Sequence, residues 1–224
     1  MDSHVLTTPA SCETLPEPVA ATPEPRAPRS IRLWTDPLVR PPLCASATLL
    51  READRKEIVE DLMYWCTLAK GVGLAAPQIG VATRVFVAKI AGNLKVFFDP
   101  TIVDMSKEAL RGREGCLSIP GTDCYVNRAV TVDMTFTDEE GKSMLGQFKG
   151  VEARIIQHEY DHLNSALIVD HCSPLVQQVM IKKAQRFLLK QIKRARNEIP
   201  GNQMDLRAGL AKKRLPFSGV SPPR

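Results

Sequence analysis

Gln157-His158-Glu159-Tyr160-Asp161-His162-Leu163 places two imidazoles four residues apart, with a carboxylate directly after the first. On a helix, at about 100° of rotation per residue, His158 and His162 stand about 40° apart in projection. Glu159 then flanks them on one side and Asp161 on the other, while Tyr160 points away. Such a face can hold a divalent ion with an acid/base group beside the ion's remaining positions, which is the chemistry of His-Glu-x-x-His metallohydrolases. Chance supplies this spacing only about 0.004 times in a chain of this length with its four His and thirteen Glu. The pair is therefore read as metal-binding, on a helix predicted over 151–163. His4 and His171 have no partners in sequence and are assigned no role. A third ligand is missing.

Upstream of this helix the pattern turns to short β-rich runs. Strands are predicted at 81–90 and 94–98, joined as a hairpin through Ala91-Gly92-Asn93 and closed by Asp99-Pro100. Further strands are predicted at 101–104, 129–137 and 143–149, with a turn at Asp138-Glu139-Glu140-Gly141. Among them lies Glu114-Gly115-Cys116-Leu117-Ser118-Ile119-Pro120-Gly121. A lone cysteine is most often a small buried residue. Cys116 is nevertheless the best available third ligand, because the preceding glycine permits an irregular backbone and nearby N–H groups can face a metal site. Cys124 is its competitor.

Further upstream, Gly71-Val72-Gly73-Leu74-Ala75-Ala76-Pro77-Gln78-Ile79-Gly80 follows an amphipathic helix predicted over 51–69, with Ile58, Leu62, Met63 and Cys66 on its apolar face. Trp65 and Cys66 are given no functional role. The glycine stretch lacks both a third glycine in dinucleotide register and a Gly-Lys-Ser/Thr, which excludes a phosphate loop. It reads either as a helix cap and turn, or as a backbone rail for an extended peptide with the Gln78 amide as polar anchor. Residues 1–30 contain six prolines and few large apolar side chains, and are predicted to be disordered. They show neither the apolar core of a secretory signal nor the acid-poor character of a transit peptide.

Downstream, Ser173-Pro174 opens a predicted helix to about residue 197, with Val176, Met180, Ala184, Phe187, Leu188 and Ile192 on one face and basic residues opposite. The chain's net charge of +5 is unevenly placed: twelve Lys/Arg stand against Glu198 and Asp205 from Pro174 onward, leaving the rest net negative. A basic helix and tail is a solvated face or an attachment to a polyanion such as RNA. Residues 197–224 are predicted to be a mobile basic tail. Six cysteines without a CxxC pair or regular spacing fit reduced thiols, and no apolar run reaches the ~20 residues of a membrane span. Antiparallel strands, long helices and no βαβ alternation define an α+β fold. Its antiparallel sheets are expected to pack around a central metal-binding helix, with an N-terminal helix and a long C-terminal one.

The three motifs in this order, at 71–78, 114–118 and 157–162, resemble peptide deformylase, which removes the formyl group from the N-terminal methionine of new chains. The resemblance runs over about 31–196, a single catalytic domain. It implies Cys116, His158 and His162 as ligands of one divalent ion, usually Fe(II), with Zn(II), Ni(II) or Co(II) able to occupy the same tetrahedral site and water at the fourth position. It implies Glu159 as general base and then acid, with the Gln78 side chain and the Leu117 N–H stabilising the oxyanion. Substrate contacts are expected from backbone at Val72, Gly73 and Gly115, and pocket walls from Val151 and Ile155. Glu114 and Arg128 match positions that brace the cysteine loop, and Asp161 is placed to orient a ligand's imidazole proton. The chain departs from the family at Ser165, where glycine is common after the motif helix, and at Asp123, where some members carry arginine. It departs also at Asp99, in place of asparagine, a position expected to be structural.

Three functions compete on these residues: a deformylase acting on N-formylmethionyl nascent peptides, a zinc peptidase of the His-Glu-x-x-His class, and a ribosome-binding protein with a vestigial metal site. The peptidase class usually takes its third ligand, His or Glu, from downstream of the helix. The family's C-terminal helix is associated with ribosome docking, so contact through Lys182, Lys183, Arg186 and Lys190 can accompany catalysis. A monomer or weak dimer is expected. Formyl-methionine initiation implies a bacterial-type cytoplasm or an organelle matrix, and the long ends favour a mitochondrion.

Overall fold

The computed structural model describes residues 28–197. The expected extension at 1–30, apart from its last three residues, and the tail after 197 lie outside the described residues. Three helices, α1 (Glu52–Leu68), α2 (Val151–Leu163) and α3 (Pro174–Asn197), accompany seven strands. The strands are β1 (Gly73–Ala75), β2 (Val85–Ile90), β3 (Asn93–Met105), β4 (Ala109–Cys116), β5 (Ile119–Ala129), β6 (Thr131–Thr137) and β7 (Ser143–Lys149). They form an antiparallel five-stranded sheet in the order β1-β2-β3-β6-β7 and a separate β4–β5 ribbon, the α+β architecture expected.

The β2–β3 hairpin turns through Ala91 and Gly92, with Ile90 paired to Asn93. Both turn residues have positive φ, the geometry that matches the right-handed twist of the flanking strands. Asp99-Pro100 does not close the hairpin as expected. Proline cannot donate to the ladder, and the strand absorbs it in a bulge between Phe98 and Thr101 and continues to Met105. Asp99 sits there at φ 46° and accepts from the Ala47 N–H (2.8 Å), the Thr48 N–H (3.2 Å) and the Ser46 hydroxyl (2.9 Å).

Three strands were not anticipated. β1 lies inside the glycine stretch, and β4–β5 occupies 109–129, where glycines, charges and Pro120-Gly121 obscure the period. In β5 the alternation is nonetheless present from Thr122 onward, with Thr122, Cys124, Val126 and Arg128 buried on one face.

α1 buries Ile58, Leu62 and Cys66 against Leu74, Ile79, Val85 and Val87. Asp61 shares that buried face and is held by Arg29 at 2.7 Å. Ala153 and Ile156 of α2 pack into a second cluster with Phe86, Phe97 and Phe148. Met180 and Ala184 of α3 pack on Cys124 and Val126 in a third, whereas Val176, expected on the apolar face, is exposed. α2 thus touches β1, β2, β6 and β7 of the large sheet and β5 of the ribbon.

Candidate active site

α2 is entered through Gly150, whose φ of 58° and ψ of −119° suit only glycine. Seven residues on, Gln157 donates to and accepts from the backbone of Ala129, at 2.9 and 3.0 Å, and so pins the helix to the end of β5. Sequence reading gave Gln157 no role. This clamp sets the facing of the next residues, and His158, Glu159 and His162 are all turned inward and buried.

The third member comes from the ribbon. Cys116 ends β4 and pairs with Ile119 across a two-residue tip, Leu117-Ser118, after a register shift at Gly115. One ligand atom each from Cys116, His158 and His162 lies within 4.8 Å of the others, and Cys116 Sγ is 3.4 Å from His162 Nε2. That spacing fits tetrahedral ligands with bonds of about 2.0–2.3 Å to a divalent ion. Cys124, the competitor, faces the carbonyl of Ile168 instead.

Gln78 is buried in the single turn Ala76–Ile79. Its Oε1 accepts from the Ala75 N–H (2.9 Å), which directs Nε2 toward Ser118 Oγ (3.2 Å) and Cys116 Sγ (3.5 Å). The amide therefore presents a donor to the site. Glu159 lies across from Gly73, where a Cβ would overlap its carboxylate. Its Oε2 is buried with no partner among the described residues, as is His162 Nδ1.

Around the ligands runs a chain of paired charges. His158 Nδ1 meets Glu114 at 3.0 Å, and Glu114 also receives Arg128 through two bonds of 3.0 Å and Arg154 at 2.7 Å. Burial alone would raise the Glu114 carboxyl, but the hydrogen bonds from His158 and Arg128 hold it down to about 2. Asp161 does not reach either ligand's imidazole. It accepts from Arg128 and from His171, each at 2.7 Å, and so acts one step further out than expected. His171 is thus brought to the site's outer network, and no sequence spacing signalled it.

The buried field favours positive charge at one imidazole and disfavours it at the other. Burial opposes protonation of His158, but Cys116 and Glu114 outweigh it and raise its affinity for a proton. Burial and the neighbouring His158 both lower that of His162. Burial, reinforced by Glu114 and Asp161 against the opposing pull of His158, pushes the Glu159 carboxyl up to about 7.

A cavity of about 470 Å³ opens on this constellation. Val72, Gly73 and Gln78 line it on one side, and Gly115, Cys116, Leu117, Val151 and Ile155 also border it. β1 is an edge strand, and among the described residues no other strand pairs with its outer side. The Val72 carbonyl is already taken by the Lys89 N–H at 2.7 Å, and strand alternation then turns the backbone groups of Gly73 toward the free edge. Asp123 binds Arg113, a cavity-lining residue, at 2.8 Å.

The family model for polypeptide deformylase matches residues 31–178. A peptide deformylase of Dictyoglomus thermophilum is 38% identical over 144 residues, 63% of this chain and 91% of that one. One of Thermotoga maritima is 30% identical over 164 residues, 73% and 98% of the two chains. The crystal structure of a Legionella pneumophila peptide deformylase is 34% identical, with a TM-score of 0.68 over 78% of this chain and all of that one. That of the Ehrlichia chaffeensis enzyme with actinonin is 28% identical, with a TM-score of 0.67 over 72% and 98%. The matched span holds every residue of the metal-ligand group and of the cavity wall, and the chain belongs to the polypeptide deformylase family.

Proposed function

We propose that this deformylase acts with one divalent ion, Fe(II) in its physiological form, held by Cys116, His158 and His162. Its substrates are N-formylmethionyl nascent peptides. The carrying observation is the ligand group within 4.8 Å, set beside the buried Glu159, whose Oε2 has no partner among the described residues. Bound there, the ion supplies Lewis acidity and makes a water molecule a stronger acid.

The remaining work falls to the chain. An extended formyl peptide adds to the free edge of β1 through the backbone of Gly73, which aligns its N-terminus with the cavity. The methionine side chain lies against Ile155 and Val151, and Gly115 leaves room on the opposite wall. Glu159 Oε2 takes a proton from the attacking water and returns it to the leaving amine; a carboxyl poised near neutrality suits both halves of that exchange. The Gln78 Nε2–H and the Leu117 N–H meet the developing oxyanion. Electrostatic stabilisation of this kind requires fixed donors, and the bond from Ala75 fixes the Gln78 amide.

Protein reconstituted with Fe(II) under exclusion of oxygen should release formate from formyl-Met-Ala-Ser. Glu159→Ala should lower kcat at least 100-fold with the metal content unchanged. Formate release undiminished by that substitution would reject the assignment of Glu159, and none from the wild type would reject the function. The reading extends to an organelle matrix, a mitochondrion by preference, tested by fractionating cells that express the tagged full chain.

A further inference from the structure

We propose that His171 is a positioning residue of the metal site, acting on His158 through Asp161, Arg128 and Glu114. The proposal rests on the reading of Cys116, His158 and His162 as ligands.

Four successive contacts join the two histidines. His171 Nε2 meets Asp161 Oδ2 at 2.7 Å, and the same oxygen takes Arg128 Nη1 at 2.7 Å. Arg128 spends its Nε and Nη2 on Glu114 at 3.0 Å each, and Glu114 Oε2 meets His158 Nδ1 at 3.0 Å. Nitrogen donors and carboxylates thus alternate from a partly exposed residue to a ligand. Arg128 is only 5% exposed, and all three sides of its guanidinium are engaged by Glu114 and Asp161.

Two features make His171 more than an incidental contact. Asp161 Oδ2 is shared by its two donors, so removing the imidazole leaves Arg128 as its one side-chain partner among the described residues and draws the guanidinium away from Glu114. His158 is also the only one of the two imidazoles whose outer nitrogen has a protein partner, since His162 Nδ1 has none. The orientation of the His158 imidazole therefore depends on this chain of contacts.

His171 is itself held in place. It ends the turn Ile168–His171, and the preceding Asp170 is bonded twice by Arg40, at 2.6 and 2.8 Å, and by the Leu167 N–H at 2.8 Å. The imidazole is presented by a braced turn immediately before α3.

The test compares the wild-type chain with His171→Phe, His171→Ala and His171→Gln, each loaded with Co(II) and with Fe(II). Loss of the donor in His171→Phe and His171→Ala should speed metal release to a chelator about tenfold and shift the visible Co(II) absorption. It should lower kcat several-fold with KM unchanged. His171→Gln, which keeps an N–H for Asp161, should restore release rate and spectrum to within about twofold of wild type. A release rate and Co(II) spectrum unchanged in both His171→Phe and His171→Ala would overturn the proposal, even if thermal stability falls. Failure of Gln to rescue would overturn the hydrogen-bond chain. A wild-type chain that retains no divalent ion would overturn the ligand reading itself, and the proposal with it.

Discussion

At the residue scale the site depends on what is missing as much as on what is present. Gly73 lies against Glu159 with no room for a methyl group. Gly73→Ala should displace the carboxylate by about an ångström and lower kcat/KM roughly 100-fold, while a calorimetric scan shows a cost of about 1–3 kcal/mol from overpacking. A kcat/KM within threefold of wild type would show that Glu159 can be displaced freely. Ser165 is the reverse case. It occupies φ 63° where glycine would be unstrained, and its hydroxyl donates to the Pro41 carbonyl. Relief of about 1 kcal/mol of backbone strain and loss of a hydrogen bond worth about 1 kcal/mol nearly cancel. Ser165→Gly should therefore leave Tm within about 2 °C of wild type. The two histidine ligands and Glu159 were legible because their spacing is periodic on a helix, whereas Cys116 stands on a strand and was marked only by the glycine before it. Gln157, Asp61 and His171 were not, because each owes its role to a partner remote in sequence: Ala129, Arg29 and Asp161.

At the element scale the chain hides its second sheet. The β4 stretch carries Arg111, Gly112, Arg113 and Gly115 among its eight residues, and only Glu114 and Cys116 are buried. A strand that buries a carboxylate for a guanidinium has no apolar alternation to read. The turn between α2 and α3 is equally quiet in sequence, yet Arg40 ties it together by reaching both Asp170 and the Ser165 carbonyl. Burial would raise the Asp170 carboxyl, but the hydrogen bonds from Arg40 and Leu167 lower it below the ordinary carboxylate range. A depressed carboxyl stabilises the fold at pH values above about 3.9, its unfolded-state value, and loses that contribution as pH falls through the folded value. Because the pair is partly exposed, Asp170→Asn should cost only about 0.5–1 kcal/mol at pH 7. The difference in Tm between wild type and variant should shrink progressively below pH 4. A gap that persisted undiminished at pH 2.5 would mean that the charge is not what holds the turn.

At the scale of the whole molecule, charge separates the catalytic body from α3. Lys182, Arg186 and Lys190 are exposed on the helix, together with Lys193, Arg194 and Arg196. Lys183 differs from them, because it lies 3.9 Å from Asp123, which in turn holds the cavity-lining Arg113. α3 also reaches the ribbon at Gly121, where φ is 73° and Phe187 fills the space a Cβ would need. A charge-reversal experiment aimed at ribosomal RNA must therefore spare Lys183 and Phe187, or it disturbs the cavity rim and the helix seat together. The triple variant Lys182→Glu, Arg186→Glu, Lys190→Glu leaves both contacts intact. If α3 docks on a polyanion, ribosome co-sedimentation of the wild type should fall steeply with added salt, as it does when phosphate counterions are released on binding. The triple variant should bind at least tenfold more weakly at physiological salt. Turnover of a formylated tripeptide should stay within twofold of wild type, because none of the three side chains borders the cavity. Equal co-sedimentation of variant and wild type would reduce the basic face to a solvated surface. A parallel loss of tripeptide turnover would show instead that α3 supports the ribbon that carries Cys116.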